Sequence, residues 1–376
     1  MSSTKHFEIL AVEIAPTGLL IEWKDGKTHT FHPVWLREFS NHPDNRDAGT
    51  GLRKTEAAFL PLDLSITKAA LQQKQNLVLS FSDGHECEFS SENLRLSMDQ
   101  PRPLDPDKQR TYWGATLESP IIFDVQEVMN SELKLLSLME HVVEYGFALV
   151  RGIPVDVDEV ERFSNRIGPA RETNWGRTTD VMNIPNPYDL TMTAQALSPH
   201  ADNPYRHPGP GYIIMHCLKN SAVGGESTMV DGFHAAQSLH KSDPSAFNAL
   251  CRIKPNFRHA EASAILEDSG ALIELDLENN LKRIRFSNRT EQVPPLSSNE
   301  LDQYYAARQR FAEIIFSDAM NYQLKLNPGE GLIWDNYRIL HGRTAFDTST
   351  GERHMRHCYM DRDVFSSRYK VLKQNV

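Results

Sequence analysis

The sequence predicts a mainly β protein with helices, in which a double-stranded β-helix (jelly roll) domain is preceded by a small antiparallel β domain. Three observations carry that expectation. Short alternating apolar runs broken by Asp-Gly turns fill residues 1–98; helical stretches open the remainder; and many short strands then surround His200, Asp202 and a distant His341. A His-x-Asp pair with a far-off histidine is the ligand set of the facial triad that holds Fe(II) on one side and leaves the opposite positions open. Residues i and i+2 of a strand share a face, so His200 and Asp202 can reach one metal from a strand or its end. His341 must come from a strand that lies beside them only in the folded chain.

In the small domain, Phe7–Val12, Leu19–Trp23 and Thr28–Phe31 read as strands, with a turn at Lys24-Asp25-Gly26. Leu77–Phe81 and Glu86–Phe89 flank Asp83-Gly84 in the same way. Asp-Gly between alternating apolar runs is a strong hairpin signal. The proline-rich run from Met98 to Pro106 marks a linker, set at residues 99–111, with the main domain following over 112–376.

Val125–Tyr145 has helical periodicity with Gly146 as a stop, and the buried strand Ala148–Val150 follows. Val155–Ile167 reads as a second helix, then Tyr212–Cys217 and Ser227–Val230 as strands. Ala235–Ser242 and Pro244–Leu250 are expected helices, the second capped by Asp243 with Pro244 in its first turn. Ser298–Ile315 is a long amphipathic helix, and Ser297 with Glu300 fits a capping box. Tyr322–Leu326, an Asn327-Pro328-Gly329 turn and Gly331–Asp335 lead to the His341 segment. Twelve positions after His341 stands Arg353, ahead of the strand-like His357–Met360, where it could grip a dicarboxylate by paired hydrogen bonds.

Composition narrows the partners. The net charge of −10 argues against a nucleic-acid backbone as ligand. The four cysteines (Cys87, Cys217, Cys251 and Cys358) are far apart, which fits free thiols in a reducing compartment. No apolar run approaches the ~20 residues needed to span a bilayer, and polar sequence follows Met1, so a cytoplasmic protein is expected.

Several segments together carry a family resemblance: Gly146–Gly152, Arg171–Gly176, His200–Tyr205, His216–Lys219, Gly224–Phe233, Asn327–Gly329, Trp334–Asn336, His341–Arg343 and Gly351–His354. From about residue 112 onward the chain resembles the γ-butyrobetaine hydroxylase branch of the Fe(II)/2-oxoglutarate dioxygenases. Its first hundred residues, including Val34–Arg37, resemble the small domain of that branch. The resemblance implies that His200, Asp202 and His341 bind Fe(II), and that Arg353 binds the distal carboxylate of 2-oxoglutarate with Ser227 nearby. It also implies O₂-dependent decarboxylation of 2-oxoglutarate to succinate and CO₂, coupled to hydroxylation of an unactivated carbon, and a homodimer.

Three departures qualify it. Relatives hold zinc in the small domain with three cysteines and a histidine; here Ser40–Asn45 contains no cysteine, and only His42 and His85 remain. Structural zinc normally takes Cys and His throughout, so none is expected. The family's aromatic cage for a trimethylammonium group keeps Trp175 and Tyr359, while Thr179 and Met192 stand where aromatics are usual. Asp180, Asn203 and Tyr205 are candidates to compensate, with plain core packing as the alternative for the two aromatics. At the anion end, Tyr188–Thr193 replaces the carboxylate-holding segment, and an ionised Asp189 would repel a carboxylate. Asn288 is retained and Arg289 follows it; an arginine there suits a phosphonate, with simple solvent exposure as the alternative. Arg356 is a further candidate.

The favoured substrate is therefore 2-trimethylaminoethylphosphonate, hydroxylated at the carbon next to phosphorus, as in the phosphonate-acting member of this branch. γ-Butyrobetaine, giving carnitine, is the alternative. Trimethyllysine fits less well, because no pair of residues is visible for its α-amino acid head. A non-catalytic binding protein on the same fold would have lost ligands that this chain keeps. A protein hydroxylase would need an open groove, where Trp175, Tyr359 and a lid around residues 176–195 point to a closed site.

Overall fold

The structure is a computed structural model that describes residues 7–72, 75–99, 110–118, 120–187 and 189–375. Most of the expected linker, residues 100–109, and Tyr188 of the anion-end segment lie outside them. The chain divides into two compact units, Met1–Asp105 and Pro106–Val376.

The first unit contains two three-stranded antiparallel sheets, Ile9–Ala15, Gly18–Trp23, Thr28–Phe31 and Ile66–Leu71, Asn76–Phe81, Glu86–Ser90. Leu19, Ile21 and Trp23 on one sheet and Leu77, Leu79 and Phe81 on the other bury every second side chain in a shared core. Gly26 and Gly84 turn the two Asp-Gly hairpins with φ of +81° and +82°, a conformation that costs glycine little. Ser40, His42, Asn45 and His85 gather into a hydrogen-bonded group. Ser40 Oγ lies 2.9 Å from His85 Nε2, and buried Asn45 donates to the carbonyls of Ser40 (2.8 Å) and Glu38 (3.2 Å). Asn45 Oδ1 in turn accepts from Thr55 Oγ1 (2.6 Å) and Arg37 Nη1 (3.1 Å).

The second unit is built on two sheets. The larger has six strands in the order Ile122–Asp124, Phe147–Arg151, Gly331–Asp335, Tyr212–Asn220, Arg353–Met360, Thr178–Met182. The smaller has four, Leu197–His200, Ile339–Arg343, Ser227–Asp231 and Tyr322–Leu324. All pairings are antiparallel apart from the edge pair of Ile122–Asp124 with Phe147–Arg151. Strand parity sorts the larger sheet cleanly. Tyr212, Ile214, Ile333, Cys358 and Met360 pack on the helices Glu132–Tyr145, Glu159–Ile167 and Arg362–Asn375. Ile213, Cys217, Leu332, Trp334, Met355 and Tyr359 share the opposite face with Met229 and Ile339 of the smaller sheet. This is the jelly-roll arrangement, and the site lies between its sheets.

Differences from the sequence reading have local causes. The helix expected over Val125–Tyr145 is two, Val125–Asn130 and Glu132–Tyr145, because Ser131 caps the second through its hydroxyl and Lys134 N–H. The second helix starts at Glu159 rather than Val155. Part of the expected lid, Thr178–Met182, is the edge strand of the larger sheet. The helix Ser298–Ile315 carries the expected capping box, and Pro244–Arg252 begins on Asp243.

Candidate active site

His200 and His341 sit directly opposite each other on adjacent strands, and Asp202 follows where the first strand ends. Asp202 Oδ1 lies 3.2 Å from His200 Nε2 and 3.7 Å from His341 Nε2, and the ligand atoms of all three fall within 4.8 Å of one another. Among the described residues this is the one group of three or more His, Cys, Asp or Glu placed to hold a metal. The surroundings fit that use. His200 Nδ1 donates to the Ser198 carbonyl (2.8 Å), which leaves the Nε2 lone pair free for a metal. Burial pushes His341 down to about 3, so its imidazole is neutral. Burial opposes ionisation of Asp202, but His341 and His200 beside it hold its carboxyl well below the usual range. Two imidazoles and one carboxylate suit Fe(II).

Asp202 is held from two sides. Its main chain is clamped by fully buried Asn336, whose Oδ1 accepts from Asp202 N–H (2.8 Å) and whose Nδ2 donates to Asp202 O (3.0 Å). The Tyr359 hydroxyl donates to Oδ2 (3.0 Å).

A cavity of about 450 Å³ opens from the triad. Arg353 enters it from the larger sheet, 5% exposed. Its Nε donates to the Gly225 carbonyl (3.2 Å), its buried Nη1 has no partner, and burial pushes it down to about 10. A buried guanidinium without a carboxylate is costly unless a ligand supplies one. Ser227 lines the same end, beside Thr228, whose buried hydroxyl is also unpartnered.

Trp175, Asp189, Met192, Asn203, Tyr205, Arg289 and Tyr359 line the cavity as well. Tyr205 donates to Asn203 Oδ1 (2.6 Å) and stacks on His259 at 5.2 Å between centroids; His259 meets the edge of Trp175 at 5.4 Å. The Trp175 indole N–H donates to Glu261 (3.1 Å), and the Arg206 guanidinium lies over its ring at 4.7 Å.

Four sequence readings need correction. Asp180 does not line the cavity. On its edge strand Thr179 and Val181 face inward, so Asp180 faces away, where Arg356 grips it at 2.8 and 2.7 Å and His354 Nε2 at 2.8 Å. Arg356 is thereby removed as an anion contact. Asn288 is exposed and outside the lining, while its neighbours Ser287 and Arg289 are within it. Asp189 lies in the cavity but is not a bare negative charge: it accepts from Thr191 N–H (2.8 Å) and Oγ1 (2.7 Å) and faces Arg289 Nη1 at 3.6 Å.

The sequence reading also missed residues. His357 lines the cavity at the same parity as Arg353 and Tyr359, a signal present in the strand pattern. His259 comes from the strand Asn256–Glu261, for which no local signal was read. Asn336 and Arg343 stood in quoted motifs, but their roles arise from contacts across more than a hundred residues.

The jelly roll and this site define the class, an Fe(II)- and 2-oxoglutarate-dependent dioxygenase. Residues 102–359 match the family described as taurine catabolism dioxygenase TauD, TfdA, and residues 12–95 match the gamma-butyrobetaine hydroxylase-like N-terminal family. The chain belongs to the TauD/TfdA dioxygenase family. It is 30% identical over 364 residues to a gamma-butyrobetaine dioxygenase of Pseudomonas sp. (strain AK-1), covering 95% of this chain and 94% of that one. It is 26% identical over 372 residues to a trimethyllysine dioxygenase of Meyerozyma guilliermondii, covering 94% and 92%. The solved structure of AAD-2 in complex with Mn(II) and N-oxalylglycine shares the fold, with a TM-score of 0.53 at 12% identity over 66% of this chain and 97% of that one. Among the described residues no helix is long and apolar enough to cross a membrane.

Proposed function

We propose that this enzyme hydroxylates a small trimethylammonium zwitterion, with 2-trimethylaminoethylphosphonate, oxidised at the carbon next to phosphorus, as its favoured substrate. The observation that carries the reading is a single cavity joining the His200–Asp202–His341 triad, the unpartnered guanidinium of Arg353 and the aromatic row Tyr205–His259–Trp175. With iron bound, one O₂ and one 2-oxoglutarate give succinate, CO₂ and one hydroxylated product.

The protein supplies the geometry. His200, Asp202 and His341 would hold the metal, while Tyr359 fixes the Asp202 carboxylate and Asn336 its main chain. Arg353 takes the far carboxylate of 2-oxoglutarate, with the Ser227 hydroxyl beside it. The aromatic faces attract a quaternary cation that cannot hydrogen-bond. Arg289 offers its planar fork to the substrate's anionic end. Its pairing with Asp189 offsets that residue's negative charge, and the remaining donors of the guanidinium are left for a phosphonate.

The same pairing favours a second reading, γ-butyrobetaine. With Asp189 facing Arg289 the repulsion of a carboxylate is weakened, and the Pseudomonas relative is a gamma-butyrobetaine dioxygenase. Succinate release with Fe(II) and ascorbate, run with each zwitterion separately, decides between them. Higher kcat/KM for the phosphonate supports the first reading. Equal or better turnover of γ-butyrobetaine replaces it with the second, and turnover of neither removes the zwitterion class.

A further inference from the structure

Every backbone carbonyl from Leu190 to Gln195 has a partner, and most of them share one. Arg343 donates from Nη1 to Thr191 O (3.0 Å), and from Nη2 to Leu190 O (3.3 Å), Gln195 O (3.2 Å) and Thr193 O. Its Nε also reaches Gln195 O (3.2 Å). The two remaining carbonyls, of Met192 and Ala194, accept from the N–H groups of Ile184 and Phe346. This stretch follows Asp189, which faces Arg289, and it carries Met192 into the cavity.

Arg343 is 3% exposed, and among the described residues it makes no ion pair with a carboxylate. Four carbonyl dipoles take the place of a counter-ion. Two residues before it on the same strand stands His341. The Phe346 ring, moreover, takes both guanidiniums of the region, Arg343 at 5.3 Å and Arg353 at 5.9 Å from its centroid.

We propose that Arg343 is a positioning residue that builds the substrate-facing segment Asp189–Gln195 outward from the strand of His341, and so sets the spacing between the zwitterion and 2-oxoglutarate seats. The inference rests on the reading of this cavity as a zwitterion site. Only a planar five-donor fork can serve four carbonyls at once; lysine, with three donors on one point, cannot.

The test is amide hydrogen exchange in wild type, R343K and R343Q without any zwitterion, followed on peptides covering residues 189–195 and 212–220. The expected result is exchange about tenfold or more faster over 189–195 in both variants, with 212–220 still protected. KM for the zwitterion then rises about tenfold while KM for 2-oxoglutarate moves less. Wild-type exchange over 189–195 overturns the proposal, as does an equal loss of protection in both regions or an equal rise in both KM values. Because exchange is read without substrate, a segment that loosens in a protein turning over no zwitterion refutes the functional reading while supporting the role of Arg343.

Discussion

Arg353 shows how one side chain can reveal a ligand. Its guanidinium is buried against Gly225 and Phe346, and no carboxylate pairs with it among the described residues. Without co-substrate this charge weakens the fold, and with it the charge becomes an anchor. Arg353→Met should therefore be at least as heat-stable as wild type without ligand. 2-Oxoglutarate should raise the Tm of wild type but not of the variant, and KM for 2-oxoglutarate should rise about a hundredfold, as expected for a lost charge-assisted pair. Differential scanning fluorimetry and a succinate assay check both. Tyr359 makes a second residue-scale case. Its hydroxyl fixes one oxygen of Asp202, so Tyr359→Phe should weaken Fe(II) binding about tenfold, measured by titration under anaerobic conditions. The triad was legible because a period-two spacing and the ligand types are local properties of the chain. Asp180 was not legible because its direction depends on which face of an edge strand it occupies, and the sequence does not mark Thr178–Met182 as a strand.

At the scale of elements, the metal site depends on how closely two strands approach. A Cβ on Gly342 would stand 2.3 Å from the Leu197 carbonyl and 2.7 Å from Thr228 Oγ1. Gly342→Ala must then push Leu197–His200 away from Ile339–Arg343 and separate the two histidines. The expected cost is about 1–3 kcal/mol of stability with a clear loss of Fe(II) affinity, measured by chemical denaturation and metal titration. The larger sheet was largely readable because its apolar runs are buried on both faces. Asn256–Glu261 and Ala264–Ser269 escaped because their sequence mixes charged and apolar residues; Phe257 is buried in a core that draws on many elements, and His259 packs on Tyr205 and Trp175, which are distant in sequence. The Asn336 clamp escaped for a related reason. An asparagine's partners 134 residues away leave no mark on its neighbours.

For the whole molecule, the two units depend on different forces. The second is organised around a metal and co-substrate; in the first, Ser40, Asn45 and His85 join in hydrogen bonds at the place where the resemblance puts zinc. Chelation of the purified protein should therefore lower the Tm of the transition belonging to the dioxygenase domain and leave that of the small domain unmoved. Asn45→Ala should destabilise the small domain by about 1–3 kcal/mol, since it strands buried polar groups, without changing kcat. Calorimetry with and without chelator, together with a turnover assay, separates the two effects.

Product stoichiometry tests whether this enzyme hydroxylates the phosphonate zwitterion. The enzyme is incubated with Fe(II), 2-oxoglutarate, O₂ and 2-trimethylaminoethylphosphonate, and succinate and the zwitterion are followed together by mass spectrometry. One zwitterion carrying one added oxygen atom on the carbon next to phosphorus is expected for each succinate formed. Succinate released at an unchanged rate whether or not the zwitterion is present, with the zwitterion recovered intact, would contradict it.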